Sequence, residues 1–314
     1  MSSTSKKKPL VLILGAGGLL GRIIYEKLDK NYRIIGTSHR KNTNTKIIKV
    51  NYKRINDKFL KLIKNSDIII NCIGENRIDR RMLEINYKIL KNISSKIKDK
   101  NTKKIFIHIS TCGVYGETKS EKISELTNPE PRTLYSKTKL LGEQILRENL
   151  KDKRKLIILR CSQIVGYGMR NTSIKKLFYY IKKNLFFFID NKKAIFSYIF
   201  SDDVISCIKK LIKKKNLNYS IFNLSSKSTF EDLVQEITIS INKKTFIPNI
   251  NPIFVNFFVI FFENILKINS PISKKQLSSL MLKKIYVSKK IQKKTNFYKF
   301  LKINRNNVNK LIYE

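Results

Sequence analysis

Leu10-Val11-Leu12-Ile13-Leu14 runs straight into Gly15-Ala16-Gly17-Gly18-Leu19-Leu20-Gly21, and no other stretch narrows the choice of fold as far. Five apolar residues bounded by glycine read as a strand buried on both faces. The residues after the glycines read as helix to about Leu28. In such a strand–turn–helix unit, Gly15 permits the tight turn, Gly18 lets backbone approach a pyrophosphate, and Gly21 lets helix pack close on strand. Gly17, Leu19 and Leu20 belong to the same cradle, where the free N–H groups and positive dipole end of the helix face an anion. The expectation is a dinucleotide-binding turn.

Strand signals recur at about 10–14, 33–37, 46–50, 67–73, 104–110, 156–161 and 220–224, with helical stretches at 79–98, 133–148, 202–214 and 229–241. Strands alternating with helices predict an α/β protein with a Rossmann-type, doubly wound parallel sheet. Ligands on such a sheet lie outside the carboxyl ends of the strands, where Gly15, Thr111 and Ser162 all fall. The division expected is a basic tail at 1–8 and a nucleotide-binding domain at 9–165, to which 201–224 returns. Residues 166–314 are expected to form mainly a smaller, mostly helical C-terminal substrate lobe.

Tyr135 and Lys139 stand one helical turn apart, on one face of the helix expected at 133–148. A phenol is a poor base at neutral pH unless a nearby cation stabilises its anion. The Lys139 ammonium is expected to do so, letting Tyr135 take a proton from an alcohol or return one to a ketone.

Together these features resemble the extended short-chain dehydrogenase/reductase superfamily, in its branch of nucleotide-sugar epimerases, dehydratases and reductases. The spacing of Gly15, Gly18 and Gly21 is that of the branch, and the block Phe106 to Gly116 looks like its strand ending in a hydroxyl residue before V-Y-G. Counting back from Val114-Tyr115-Gly116, Thr111 falls on the catalytic Ser/Thr, with Ser110 just before it. Further matches are Asp67 to Gly74, whose Cys72, Ile73 and Gly74 would pass the cofactor, and Leu159 to Gly166, which includes Cys161 and Ser162. Phe200-Ser201-Asp202-Asp203-Val204 resembles a later segment of the family, with Asp203 on its aspartate. The tail from Ser270 to Phe300 loosely resembles bacterial cell-surface sugar epimerases, enzymes of polysaccharide biosynthesis.

The resemblance implies an NAD(P)-dependent nucleotide-sugar epimerase working by reversible hydride transfer through a keto-sugar. Tyr135 would be the base, Lys139 would also hold the nicotinamide ribose, and Thr111 would hydrogen-bond the reacting oxygen. The alternative is an NADPH-dependent 4-keto-sugar reductase. A non-catalytic cofactor-binding protein and a nucleic-acid-binding protein are the remaining readings. Family dehydratases carry Asp-Glu directly after the active-site Thr; here those positions are Cys112 and Gly113, which argues against elimination of water. The second strand ends without an acid for a ribose 2′-hydroxyl but with Arg40 and Lys41, so NADP is favoured slightly over NAD. Asn51 stands where the family often has an Asp near the adenine. Arg77, Asn86, Arg170 and Asn171 are weak candidates for sugar or diphosphate contacts, with Arg77 and Asn171 retained.

The formal net charge of +42 raises the question of nucleic acid. The lysines are spread over the whole chain among abundant Ile and Asn, residues of A/T-rich codons, so compositional drift is the preferred reading and no specific nucleic-acid partner is expected. Four cysteines at wide spacing, without C-x-x-C, suit reduced thiols in a cytoplasmic protein. His39 and His108 make no ligand cluster, no metal is expected, and His108 reads as a core residue. The apolar run Ile253 to Phe262 is too short to span a membrane. It reads as a buried helix, with interfacial membrane association the alternative. The resemblance also implies a homodimer paired through long helices.

Overall fold

The computed structural model describes residues 8–40, 47–97, 104–116, 118, 120–152, 155–166, 172–189, 194–214, 217–242, 247–251, 253 and 284–313. The elements are β1 (Leu10–Leu14), α1 (Leu19–Lys27), β2 (Arg33–Ser38), β3 (Ile47–Lys49), α2 (Asp57–Asn65), β4 (Ile68–Asn71) and α3 (Asp79–Leu83). A π-helical turn (Glu84–Lys88) leads into α4 (Ile89–Ser95), β5 (Ile105–Thr111) and a 3₁₀ turn (Cys112–Tyr115). There follow β6 (Lys122–Ile123), α5 (Leu134–Leu150), β7 (Lys155–Cys161), β8 (Gln163–Val165), α6 (Thr172–Lys182), β9 (Phe188–Ile189) and β10 (Ile195–Phe200). The chain continues through α7 (Ser201–Ile212), β11 (Ser220–Leu224), β12 (Ser226–Thr229), α8 (Phe230–Ser240), β13 (Asn249–Ile250), β14 (Ile285–Tyr286), α9 (Lys289–Thr295) and α10 (Arg305–Tyr313).

Seven strands form one sheet in the order β11-β7-β5-β4-β1-β2-β3, every neighbouring pair parallel. All seven expected strands are in it. The order reverses direction between β1 and β4, which opens a crevice at the carboxyl ends of those strands. Side chains alternate across the sheet with period two. Val11, Ile13, Ile107 and Leu159 pack on one side with Ile23 and Ile24 of α1 and Val204, Ile208 and Leu211 of α7. Leu12, Leu14, Phe106 and Ile158 pack on the other with Ile63 of α2, Leu90 of α4 and Leu146 of α5. Expected helix boundaries hold to within a few residues, except that 79–98 is broken by its π turn; α2, α6, α9 and α10 have no counterpart among the expected ranges.

A second core gathers Val165, Ile174, Ile181, Tyr198, Phe200, Leu233, Ile237 and Val308. Its helices α6, α8 and α10 surround a three-stranded sheet, β12-β10-β8, so helix dominates this part without filling it. Residues 201–224 join the large sheet and its covering layer through α7 and β11. The apolar run beyond Ile253, together with Lys41, Arg170 and Asn171, lies outside the described residues. Among the described residues no helix is long and apolar enough to cross a membrane.

Asp203, buried at the start of α7, ties down the C-terminal segment: its Oδ2 accepts the Leu301 N–H at 2.8 Å. Burial pushes its carboxyl up to about 6; the Leu301 bond opposes the shift and neighbouring Asp202 adds to it. A folded-state value above the unfolded one of about 3.9 means the native state holds the proton more tightly. The stabilisation is therefore full below about pH 4 and lost as pH rises through about 6. Asp203→Asn keeps an acceptor for Leu301 without a charge to bury. Urea melts are expected to show it about 1–3 kcal/mol more stable than wild type above pH 7 and equal near pH 4; equal stability at pH 8 would contradict this.

Candidate active site

The glycine turn is built for close approach. Gly15 has φ +80°, and a Cβ there would stand 3.0–3.2 Å from the backbone of Cys72 and Ile73. A Cβ on Gly21 would lie 2.3 Å from the Gly15 carbonyl oxygen, so only glycine lets α1 seat against the turn. Gly18 is the N-cap of α1, and no side chain caps that helix or places an acid in its first turn. Its leading N–H groups, those of Leu19, Leu20 and Gly21, are the kind a helix leaves for an anion. Gly17 and Gly18 are exposed, and Leu19 and Leu20 lean on the core. Behind the turn, Tyr52 Oη accepts the Gly15 N–H at 2.9 Å and lies 3.0 Å from Thr37 Oγ1. Tyr52 was missed in the sequence; only its place after β3 could have pointed to it. The turn's shape and its uncapped helix fit a dinucleotide pyrophosphate.

The next part of the site is carried by α5. Thr133 caps that helix, its Oγ1 accepting the Ser136 N–H. The spacing of four then brings Tyr135, Lys139 and Glu143 onto one face. Lys139 is buried and its Nζ donates to the Ile109 carbonyl at 2.6 Å, near the end of β5. A Cβ on Gly113 would stand 2.7 Å from Ser136 Oγ, so the turn that follows Thr111 abuts the first turn of α5. Thr111 Oγ1 accepts the Gly113 N–H at 3.0 Å, leaving its hydroxyl hydrogen for another acceptor.

The expected acidification of the phenol is not what the structure gives. Burial, with Cys161 as a lesser cause, pushes Tyr135 up to about 12. Burial also pulls Lys139 down to about 8, against Glu143, Cys72 and Cys161, which act the other way. Removing a charged group from water costs more here than the neighbouring ammonium returns. Cys72 and Cys161 are pushed up to about 12 by burial, so both thiols are uncharged near neutral pH.

One turn further along α5 the sequence reading missed a charged pair. Glu143 and Arg160, both buried, are joined by Arg160 Nη2 to Oε2 at 2.6 Å and by Nε to both carboxylate oxygens at 3.1–3.2 Å. Ser110 also donates to Glu143, and the Arg160 guanidinium lies 4.8 Å from the Tyr115 ring centre. An arginine ending the apolar run of β7 was the available signal. The π turn also carries meaning, as such turns often mark sites. It sets buried Asn86 so that its Nδ2 donates to Thr138 Oγ1 and the Glu75 carbonyl while Oδ1 accepts the Glu75 N–H. Asn86 is therefore a structural clamp.

The weaker candidates are dispersed. Arg40 is exposed after β2, its N–H donating to Ser38 Oγ. Asn51 Oδ1 accepts the N–H groups of Lys53 and Arg54 at 3.0 and 3.3 Å, so its oxygen closes a turn and is not open to an adenine. Gly74 and Arg77 are exposed beyond β4, and the Arg77 N–H donates to Glu75. Ser162 donates its N–H and hydroxyl to the Leu224 carbonyl. Asn171 lies outside the described residues.

A parallel sheet with a glycine cradle at its switch point and a Tyr–Lys helix beside it defines a Rossmann-type dinucleotide enzyme. Residues 11–225 match the NAD dependent epimerase/dehydratase family, and the chain belongs to it. The spore coat polysaccharide biosynthesis protein SpsK of Bacillus subtilis is 27% identical over 171 residues, 51% of this chain and 55% of that protein. For two of the curated relatives it matches, the aligned part of the chain spans 34% and 55% of their length. The structure of UDP-glucuronic acid 4-epimerase from Bacillus cereus in complex with NAD superposes with TM-score 0.73 at 18% identity, covering 97% of each chain. That of RMD from Pseudomonas aeruginosa complexed with NADPH superposes with TM-score 0.68 at 14% identity, covering 97% of this chain and 98% of the other. At these identities the likeness is one of fold.

Arg160→Met would leave the Glu143 carboxylate buried and unpaired, and denaturant melts are expected to show a loss of about 3–5 kcal/mol. Adding Glu143→Leu to that variant is expected to recover part of the loss. A double variant less stable than the single one would show that the pair is not what Arg160 stabilises.

Proposed function

We propose that the chain is a nucleotide-sugar epimerase that oxidises a sugar carbinol to the ketone, turns the keto-sugar over and reduces its other face. The observation that carries this reading is the link from the Gly15 turn, seated on the Cys72–Ile73 backbone, through Asn71 and His108 to Lys139 of α5, which donates to the Ile109 carbonyl near the end of β5. Gly15, Gly17, Gly18 and Gly21 with Leu19 and Leu20 would hold the pyrophosphate, and Cys72, Ile73, Gly74, Cys161 and Ser162 would line the path to the nicotinamide. When bound, the nicotinamide supplies the acceptor and donor of hydride.

Tyr135, uncharged at rest with its phenol at about 12, is an acid suited to protonating the oxygen of a ketone under reduction. In the oxidising direction the phenol must accept a proton, and the Lys139 cation one turn away stabilises the phenolate that its burial disfavours. Thr111, its Oγ1 already accepting from Gly113, directs its hydroxyl hydrogen to the reacting oxygen. Cys112, where a dehydratase carries an acid, is buried with its thiol pushed well above its usual range by burial, which speaks against elimination. The lobe built on β8, β10 and β12 would close over the sugar, and Arg77 and Asn171 are proposed to face it.

A second reading, reduction of a 4-keto-sugar with NADPH, is favoured by one observation: β2 ends at Ser38 and is followed by His39-Arg40, with no acid for a ribose 2′-hydroxyl and a cation for a 2′-phosphate. The nucleotide retained by the purified protein separates the two. Tightly held NAD supports epimerisation, and an empty site filled reversibly by NADPH supports reduction; turnover is then screened across UDP-, dTDP- and GDP-sugars. Tyr135→Phe is expected to lower kcat by about 10²–10⁴-fold, the range for loss of a positioned acid–base group, with dinucleotide affinity nearly unchanged. Wild-type turnover in that variant would remove Tyr135 from the chemistry.

A further inference from the structure

A buried histidine stands behind Lys139, and the chemistry above does not use it. His108 and Asn71 are register partners in the adjacent parallel strands β5 and β4, so both side chains leave the sheet on the face that α5 covers. Asn71 Oδ1 accepts the Ile73 N–H at 3.2 Å, and Asn71 Nδ2 lies 2.8 Å from His108 Nδ1. The first contact settles the second: with the amide oxygen facing an N–H, the NH₂ end faces the ring. Nδ1 must then accept, so a neutral His108 carries its one proton on Nε2. That nitrogen is 3.4 Å from Lys139 Nζ, which the Ile109 carbonyl holds in place.

An ammonium has three donors and no acceptor, so an N–H aimed at it sets donor against donor. A neutral amine has a lone pair and accepts that hydrogen. We propose that Asn71 and His108 are positioning residues: the asparagine locks the imidazole in its Nε2–H tautomer, and that N–H favours the uncharged form of Lys139. The device deepens the dinucleotide reading, and rests on it only for its effect on binding and turnover.

The other groups around Lys139 do not supply the same bias. Cys72 after β4 and Cys161 at the end of β7 are neutral thiols, and Tyr135 one turn back is a neutral phenol. Glu143, one turn on, favours the charged lysine but is shared with Arg160 and Ser110. Burial acts against that carboxylate and leaves the lysine at about 8. His108 itself is driven well below its usual range, first by burial and then by Lys139, and so stays neutral. The ammonium thus persists below about pH 8 and gives way to the amine above it.

The chain has two histidines, so selective ¹⁵N-histidine labelling of the full protein gives two ring systems to follow. Long-range ¹H–¹⁵N spectra are expected to show His108 neutral and Nε2-protonated throughout. Its Nε2 resonance is expected to titrate with a midpoint near 8 that Lys139→Met abolishes. An Nδ1–H tautomer, an imidazolium near neutral pH, or a resonance indifferent to Lys139→Met would overturn the proposal. A second readout is the pH dependence of the Kd for NADH and NADPH. In His108→Phe its midpoint is expected to move up by about one pH unit, tenfold in proton affinity, about what one misdirected donor is worth. Asn71→Asp tests the lock without removing the ring: a carboxylate draws the proton to Nδ1, turns Nε2 into an acceptor and moves the midpoint the same way. An unmoved midpoint in both variants would overturn the tuning. Absence of dinucleotide binding in wild type would sink the cofactor reading alone, since the NMR measurement needs no dinucleotide.

Discussion

The arrangement of this protein turns on one packing contact, the polar face of α5 laid against the carboxyl ends of β5 and β7. Most of that interface is hydrocarbon, with Ile145, Leu146 and Leu150 against Phe106, Leu156 and Ile158. At its upper end the side chains become Lys139 and Glu143 above His108, Ser110 and Arg160, all buried. Burying charges is tolerable only when they have partners, and here Lys139 donates to a carbonyl while Glu143 accepts from Arg160 and Ser110. The apolar lower half fixes the height of the helix, and the polar upper half fixes its rotation. Tyr135, one turn above Lys139, is aimed by both.

The same contact ties chemistry to scaffold. Asn86 in the π turn bonds Thr138 of α5, and a Cβ on Gly142 would stand 2.5 Å from the Asn86 carbonyl oxygen. Helix, π turn and sheet are thus held at backbone distance, so a group on α5 is placed by rigid elements at some remove from it. Preorganised geometry of this kind is what a dry hydride-transfer site requires.

The sheet was legible because its signals are local. Seven short apolar runs, each bounded by turn residues, specify seven strands, and a strand followed by glycines at a spacing of three specifies the cradle. The candidates Gly15, Gly18, Gly21, Thr111, Tyr135 and Lys139 stand out in the sequence because each belongs to a compact motif. The roles of Asn71, His108, Arg160 and Glu143 were not legible, because they lie in contacts between residues 17 to 37 positions apart that only strand register and the docking of α5 on the sheet create. The phenol's acidity was misjudged for a related reason: spacing shows the lysine beside it but not the burial that outweighs the lysine. Asn51 was assigned an adenine by position, while its oxygen closes a local turn, a competition short polar side chains often win.

The proposed reading puts the nicotinamide end of a dinucleotide against Tyr135, with its pyrophosphate on the Gly15 turn. A crystal structure of the protein soaked with NAD or NADP measures that placement directly. The ring is expected beside the Tyr135 hydroxyl, with its ribose within reach of Lys139 Nζ and the diphosphate at the start of α1. A dinucleotide bound with its ring away from Tyr135, or seated anywhere but on the glycine turn, would contradict it.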